Sequence, residues 1–193
     1  MTSDEKHFPD LTDAEKARWA AAHSDMQEMS SGLQDGTTTR DDIQGALNRL
    51  MSIDIDQQKL TNALHVPPDA GPYSAVLEQI LRRIPDDWGR WISHDAGWYA
   101  IIATLDERLS ALDSDYEVHQ VKEKFGTLRY YCRPSDKASE EVWNAFESLV
   151  IEAERLSAST CECCAEPGLL HGTTYRVKTL CATCAETLRY EPK

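Results

Sequence analysis

The sequence has no long hydrophobic run. No apolar segment approaches the roughly 20 residues that a membrane-spanning helix requires, and the chain begins Met-Thr-Ser-Asp-Glu-Lys with no hydrophobic stretch behind it. This pattern predicts neither a secretory leader nor a membrane span. We therefore expect a cytoplasmic protein with no membrane partner.

Cysteine is nearly absent from most of the chain. Cys132 is the only cysteine before position 161, and the other five of the six lie between positions 161 and 184. A disulfide framework spread over the fold is therefore disfavoured, and a reducing compartment is favoured. Cys132 lies in a predicted strand, where a cysteine usually acts as a small buried apolar residue rather than a nucleophile.

Positive charge is also scarce. The chain has 20 basic and 33 acidic residues, which gives a formal net charge of −13. A field of this sign repels a nucleic-acid backbone at long range, so broad nucleic-acid binding is disfavoured. The acid excess is heaviest in residues 1–65, which contain 12 acidic and 6 basic side chains. A basic partner protein fits this charge better.

Helical patterns dominate the first third of the chain. Thr12 and Glu15 form the Thr-x-x-Glu pattern of a capping box, which predicts a helix that ends near the Ser-Ser-Gly at 30–32. Thr39 predicts the start of a second helix. The proline-rich stretch 66–72 then breaks any helix, because proline lacks an amide hydrogen and restricts the residue before it. We expect a domain boundary there.

After this break the pattern predicts helices on both sides of a β-hairpin. Apolar residues at helical spacing predict helices over 73–84, 98–112 and 142–157, and two β-rich stretches, 116–121 and 127–132, flank a predicted turn at 122–126. The predicted fold is α+β and mainly helical, with helices around a small β-hairpin and a C-terminal treble-clef-like zinc module. The predicted parts are an acidic helical segment over 1–65, a helix-hairpin-helix core over 73–158 and a zinc module over 159–193.

Two Cys-x-x-Cys pairs dominate the C-terminal segment. Cys161 and Cys164 form the first pair, and Cys181 and Cys184 form the second. Zn²⁺ prefers four soft or borderline ligands in a tetrahedron, and each pair presents two sulfurs from one tight turn. Four cysteines also leave no open coordination position for water. The sequence therefore predicts a structural Zn²⁺ site rather than a catalytic one.

The order of patterns around the cysteines favours a treble clef over a simple zinc ribbon. A turn at Pro167-Gly168 and a strand over 175–180 lie between the pairs, and a short helix is expected over 186–190. Two alternatives stay open. Cys163 or His171 could replace one ligand, or the thiols could bind no metal and act by redox or disulfide pairing.

A basic cluster lies in the predicted hairpin turn. Lys122, Lys124 and Arg129 are close together in an otherwise acidic chain and could bind an anionic ligand or an acidic partner. The simpler interpretation is a turn with solvated charges.

Tryptophan is concentrated in one short segment, which contains Trp88, Trp91 and Trp98. Such residues usually anchor a core, and the alternative is an aromatic binding surface. His94 and Asp95 lie in the same segment and could line an enzyme pocket. However, no glycine-rich phosphate loop, nucleophile elbow or histidine-rich metal motif accompanies them. No catalytic residue is therefore predicted.

Several sequence blocks resemble a group of uncharacterised zinc-binding proteins common in phages and prophages. The blocks are Gly97-Trp98-Tyr99, the segment QVKEKFGTLRYY over 120–131, the CECC motif over 161–164 with Pro167-Gly168, and KTLC over 178–181. The similarity covers roughly 73–188. It departs at Ala165, where the group usually has glycine, and at 175–177, where it often has Gly-Trp. The resemblance implies a zinc site and a phage or mobile-element context in a bacterial host cell, but no activity.

The leading functional prediction is a non-enzymatic phage-type protein that binds a host protein through its acidic surface, in an inhibitory or anti-defence role. The first alternative is a nucleic-acid-binding regulator that uses the zinc module and the basic cluster. The second is an enzyme of unknown class with a pocket near His94 and Asp95.

Overall fold

A computed structural model of the protein describes residues 7–34, 36 and 38–193. Residues 1–6, to which the prediction about a leader applies, lie outside this part. The chain divides into two compact units, one ending at Ala63 and one beginning at Leu64. Among the described residues, no helix combines the length and apolar character needed to cross a membrane.

The N-terminal unit contains helices α1 (Asp13–Gln34), α2 (Arg40–Met51) and α3 (Gln57–Asn62). The capping box before α1 is confirmed, because the Thr12 N–H donates to Glu15 at 2.7 Å and the Glu15 N–H donates to the Thr12 hydroxyl at 3.3 Å. Thr39 caps α2 in the same way. Helix α1 continues past the predicted end at Gly32, since one glycine inside a helix costs only about 1 kcal/mol.

The C-terminal unit contains both helices and small sheets. Its helices are α4 (Ser74–Arg82), α5 (Tyr99–Leu112), α6 (Glu140–Ser157) and α7 (Ala182–Leu188). One sheet contains β1 (Ile92–Ser93), β2 (Glu117–Lys124) and β3 (Thr127–Arg133) in the order β1-β2-β3. A second sheet contains β4 (Leu169–Gly172), β5 (Val177–Leu180) and β6 (Glu191–Pro192) in the order β5-β4-β6. The predicted α+β class is confirmed.

The core of this unit lies between the helices and the inner face of the first sheet. Apolar side chains of α4, α5 and α6 pack against alternate residues of β2 and β3. The fully or almost fully buried residues of this core include Leu77, Ile80, Trp98, Ile102, Leu109, Val118, Val121, Leu128 and Tyr130. Because side chains on a strand alternate between faces, the residues between these core positions point away from the helices. The sheet therefore has one packed face and one outer face.

The β-hairpin differs from the prediction at its turn. Strand β2 continues to Lys124, and the turn consists of Phe125 and Gly126, which have φ values of 58° and 78°. A two-residue turn with positive φ at both positions matches the twist of paired strands. The strands therefore extend through the residues predicted as turn, and Lys122 lies within a strand.

Strand β1 was not predicted, and helix α7 starts earlier than predicted. Strand β1 has two residues and pairs in parallel with β2, and a strand this short has no detectable sequence period. Helix α7 begins at Ala182 rather than near Glu186, because Cys181 is its N-cap and the Cys181 sulfur accepts the N–H of Cys184 at 3.5 Å.

Candidate metal centre

Four cysteine side chains converge in the C-terminal unit. The sulfur atoms of Cys161, Cys164, Cys181 and Cys184 all lie within 4.8 Å of one another. The Cys164 sulfur is 3.6 Å from the Cys181 sulfur and 3.6 Å from the Cys184 sulfur. A tetrahedral ion with metal–sulfur bonds of about 2.3 Å places its ligands about 3.8 Å apart. The cluster can therefore bind a metal ion such as zinc.

The first cysteine pair lies on a tight turn that the backbone closes by itself. The Ala165 N–H donates to the Cys161 carbonyl at 3.0 Å, and the Cys161 N–H donates to the Glu166 carbonyl at 2.7 Å. Ala165 has a φ of 67°, in the left-handed region. This turn directs the sulfurs of Cys161 and Cys164 to one side, where they meet the pair at the start of α7.

The electrostatics of the cluster favour a bound cation. Burial would raise the pKa of Cys161, but the N–H groups of Cys181, Cys164 and Cys163 lower it to about 7. Burial and the neighbouring sulfurs raise the pKa of Cys184. Titrating groups this close cannot all ionise side by side without a counter-charge. A divalent ion supplies that charge and displaces the remaining protons.

The two alternative ligands lie outside the cluster of four. The Cys163 sulfur lies 3.5 Å from the Asp95 carboxylate, and burial raises the pKa of Cys163 to about 12. The His171 Nδ1 lies 2.8 Å from the Leu169 carbonyl, within β4. In the part of the chain that the structure describes, neither residue joins the four cysteines. Cys132 is distant in the core, and burial raises its pKa to about 12.

The cysteine cluster is attached to the helical core by the loop before α5. The Gly97 N–H donates to the Glu162 carbonyl at 2.7 Å, and the indole N–H of Trp98 donates to the Thr160 carbonyl at 2.8 Å. On the other side, the Thr179 hydroxyl donates to the Gly126 carbonyl at 2.7 Å, in the hairpin turn. The segment at Gly97 and Trp98, the hairpin turn and the cysteine-bearing segments therefore contact one another at this junction.

A buried ion pair lies under the first cysteine pair. The Lys178 ammonium is 2.7 Å from Glu162 Oε1 and 2.8 Å from Asp95 Oδ2, and Glu162 is only 1% exposed. Burial raises the pKa of Glu162, and Lys178 offsets part of this effect. Burial lowers the pKa of Lys178, but the two carboxylates outweigh it and raise that pKa overall. The sequence did not predict this pair, since Glu162 resembles any solvated acid.

His94 and Asp95 do not form an acid–base pair with each other. The His94 Nδ1 lies 2.9 Å from the Asp95 backbone carbonyl, whereas the Asp95 carboxylate binds Lys178. Burial lowers the pKa of His94 to about 4, so the ring is neutral at pH 7. His94 Nε2 and Glu162 Oε2 are buried and have no hydrogen-bond partner among the described residues. Both atoms are acceptors that a buried water could satisfy.

The basic cluster and the tryptophans fall in different environments. Lys122 and Lys124 lie on the outer face of β2. Arg129 lies opposite Lys122 on the neighbouring strand β3. Trp88 and Trp91 are exposed, and the Trp88 ring lies 4.8 Å from the His119 ring.

Trp98 is removed from the predicted binding residues, because it is 0% exposed. Its position one turn before the apolar stripe of α5 makes it part of the core.

A scan against protein-family models and searches of curated proteins and solved structures found no match to this chain.

Proposed function

We propose that this protein is a non-enzymatic binding protein whose C-terminal unit is stabilised by one structural Zn²⁺ ion in a treble-clef-like module. The convergence of four sulfurs from two distant turns carries the proposal. The element order supports the treble clef, since a cysteine turn is followed by the β4–β5 hairpin and by a helix that carries the second pair. Four cysteine ligands close the coordination shell, so the ion stabilises structure and activates no water.

The module needs such an ion because its own apolar core is small. Its buried cluster consists of Cys161, Leu180 and Ala185, with partly buried neighbours around it. So few buried side chains contribute little to stability, and small modules commonly depend on a metal or disulfides. Bound zinc joins the first cysteine turn to α7 and so links both ends of the module.

Elemental analysis of the purified protein tests the zinc site. We expect one zinc per chain, and Cys161→Ser or Cys184→Ser to reduce both the zinc content and the melting temperature. Cys163→Ser is the matched control and should retain the metal, since its sulfur faces Asp95. Cobalt substitution should produce the intense thiolate absorption of a tetrahedral site. A protein without metal, or loss of metal in the Cys163→Ser variant, would reject the proposal.

A basic host protein is the partner that the charge supports. The chain carries a net charge of −13, and its first 65 residues contain twice as many acidic as basic side chains. Complementary charge accelerates association and selects partners of opposite sign. The phage or prophage setting, with an inhibitory or anti-defence role, rests on the resemblance described above.

Charge variants of the two units test this partner. Asp10, Asp41 and Asp54 are exposed in the N-terminal unit, and their joint replacement by asparagine should abolish capture of a host protein from bacterial lysate at low salt. The control replaces Glu107, Glu147 and Glu186 of the C-terminal unit by glutamine, which changes net charge equally and should preserve capture. Equal loss in both variants would show a nonspecific charge effect.

A further inference from the structure

The outer face of the first sheet combines exposed or half-exposed aromatic and basic side chains. Its inner face is packed with Val118, Val121, Leu128 and Tyr130. The alternating positions of the three strands point to the other side. Those outer residues include Trp91, Ser93, Gln120, Lys122, Lys124, Thr127, Arg129 and Tyr131.

Strand register arranges these residues in rows across the sheet. Lys122 of the central strand pairs with Ser93 on one side and with Arg129 on the other. Two residues before Lys122, on the same face of β2, Gln120 lies opposite Tyr131 of β3. Trp91 directly precedes β1, and continuing the register of Ile92 with Val121 by one residue puts Trp91 beside Gln120. A row with two aromatic rings therefore lies beside a row with two cations, about 7 Å apart along the strands.

Among the described residues, two lysines on this face, Lys122 and Lys124, have aromatic neighbours instead of a carboxylate partner. Lys122 and Lys124 contact the rings of Tyr131 and Phe125, and neither makes an ion pair with any described residue. Arg133, two positions beyond Tyr131 on the same side of β3, pairs with both Glu117 and Asp136.

Lys122 and Arg129 also face each other directly across two strands. Like charges in this position destabilise a sheet. Arg129 has one carboxylate nearby, Glu154 at 3.6 Å. A protein with an excess of 13 negative charges has thus assembled a local positive surface, which an anionic ligand would stabilise.

The aromatic rings are exposed and held in place. Trp91 is 38% exposed, and a side chain at Gly89 would come within 2.5 Å of its six-membered ring, so the ring packs against that glycine. Tyr131 is 42% exposed.

Phe125 extends the aromatic surface at the hairpin tip. It is 71% exposed and adopts a φ of 58°, a conformation that asparagine or glycine adopts at lower cost. A strained, exposed phenylalanine beside Lys124 adds no packing to the core. Its ring is available to a ligand.

We propose that this outer sheet face binds single-stranded nucleic acid. Bases stack on Trp91 and Tyr131, with Phe125 at the end of the track, and phosphates contact Lys122, Lys124 and Arg129. Exposed rings alternating with cations on an open sheet form the stacking platform that single strands use. An acidic peptide would use the cations but has no requirement for the rings.

The net charge of −13 does not prevent this contact. Charges more than about 8 Å away are largely screened at physiological ionic strength. The distant acidic residues therefore reduce the association rate, whereas the cations at the surface determine the bound state. The proposal is independent of the basic protein partner, which the charge assigns to the N-terminal unit.

Fluorescence anisotropy with zinc-loaded protein tests the proposal, with labelled oligothymidylate and oligouridylate of about 12 nucleotides as probes. Trp91→Ala and Tyr131→Ala should each weaken binding by roughly 5- to 150-fold, the range for loss of one stacked base. The Lys122→Ala/Lys124→Ala variant should reduce the slope of log affinity against log salt by about 1.4, for two lost phosphate contacts.

Matched controls separate this surface from general effects. Trp143→Ala removes a tryptophan of α6 that is 46% exposed, and Lys137→Ala removes an exposed lysine from the loop before that helix. Both variants should leave binding unchanged. Phe125→Asn should stabilise the hairpin and yet weaken binding, which a purely structural role would not produce.

Two results would overturn the proposal. One is the absence of oligonucleotide binding to folded, zinc-loaded protein at low salt. The other is equal binding of polyglutamate with no effect of the ring variants, which would assign the surface to acidic polypeptides.

Discussion

The α-carbon of Gly97 lies against the backbone of Cys161. A methyl group on Gly97 would be 2.2 Å from the Cys161 carbonyl oxygen and 2.6 Å from that of Glu162. The loop before α5 therefore approaches the first cysteine turn so closely that only glycine fits at position 97. Both contacts are with backbone atoms, which cannot move aside as a flexible side chain can.

Gly97→Ala should separate the first cysteine turn from the core. We expect a loss of several kcal/mol in the free energy of unfolding, because overpacking against backbone is costly and the hydrogen bond from Gly97 is also lost. Urea unfolding with excess zinc measures this effect. Gly45→Ala in α2 is the control, since its nearest neighbour is a flexible arginine tip at 3.4 Å and alanine favours a helix. Equal stability of the two variants would contradict the close approach.

Lys178→Met should leave the carboxylate of Glu162 buried without its ammonium partner. Removing one member of a buried pair typically costs about 3 kcal/mol or more. Asp95→Asn should cost less, because Asp95 is half exposed and water can replace Lys178. A double variant, Lys178→Met/Glu162→Leu, should be more stable than the sum of the single effects predicts. Additive effects in chemical denaturation would show that the pair is not coupled.

His94 should make the protein less stable in mild acid. Burial lowers its pKa from 6.5 to about 4, so the unfolded chain binds a proton at this site between those values and the folded chain does not. Stability from His94 is therefore complete above pH 6.5 and is lost as the pH falls towards 4. The loss between pH 7 and pH 5 should be about 2 kcal/mol.

The His94→Gln variant tests this effect. Its stability should change less over the same pH interval at constant zinc saturation, and an identical pH slope would exclude His94 as the source.

Ala165→Gly should stabilise the first cysteine turn. Ala165 has a φ of 67°, where a β-carbon costs about 1 kcal/mol or more, and glycine removes that strain at some cost in unfolded-state entropy. We expect a net gain of roughly 0.5 kcal/mol in thermal unfolding. Ala158→Gly is the control, because Ala158 has right-handed helical geometry and glycine should destabilise it. A gain at both positions would point to some other cause.

The four clustered cysteines could be predicted from the sequence because the spacing within each pair is local. A Cys-x-x-Cys pair requires only one turn, and the structure brings Cys161, Cys164, Cys181 and Cys184 within 4.8 Å of one another. The capping box at Thr12 and the long amphipathic helices are local in the same sense. The local pattern was less informative at the hairpin. It predicted a turn over 122–126, whereas positive φ angles at Phe125 and Gly126 allow a turn of only two residues.

The ion pair of Glu162 and Lys178 could not be predicted, because these residues belong to different elements. Only the packing of the cysteine turn on β5 buries Glu162 and supplies its partner. The same limit applies to Trp98, which has the sequence context of its exposed neighbours Trp88 and Trp91 and yet is fully buried.

By itself the sequence determined the α+β class, the start of α1 and the cysteine cluster, since capping, periodicity and metal-ligand spacing act over a few residues. Only the tertiary structure decided which charges are buried, which tryptophans are exposed and which side chains share the outer face of the sheet. These properties depend on strand register and on contacts between distant segments. Lys122 and Arg129 became neighbours through the pairing of β2 with β3, and Gly97 met Cys161 through the folding of a chain segment more than 60 residues long.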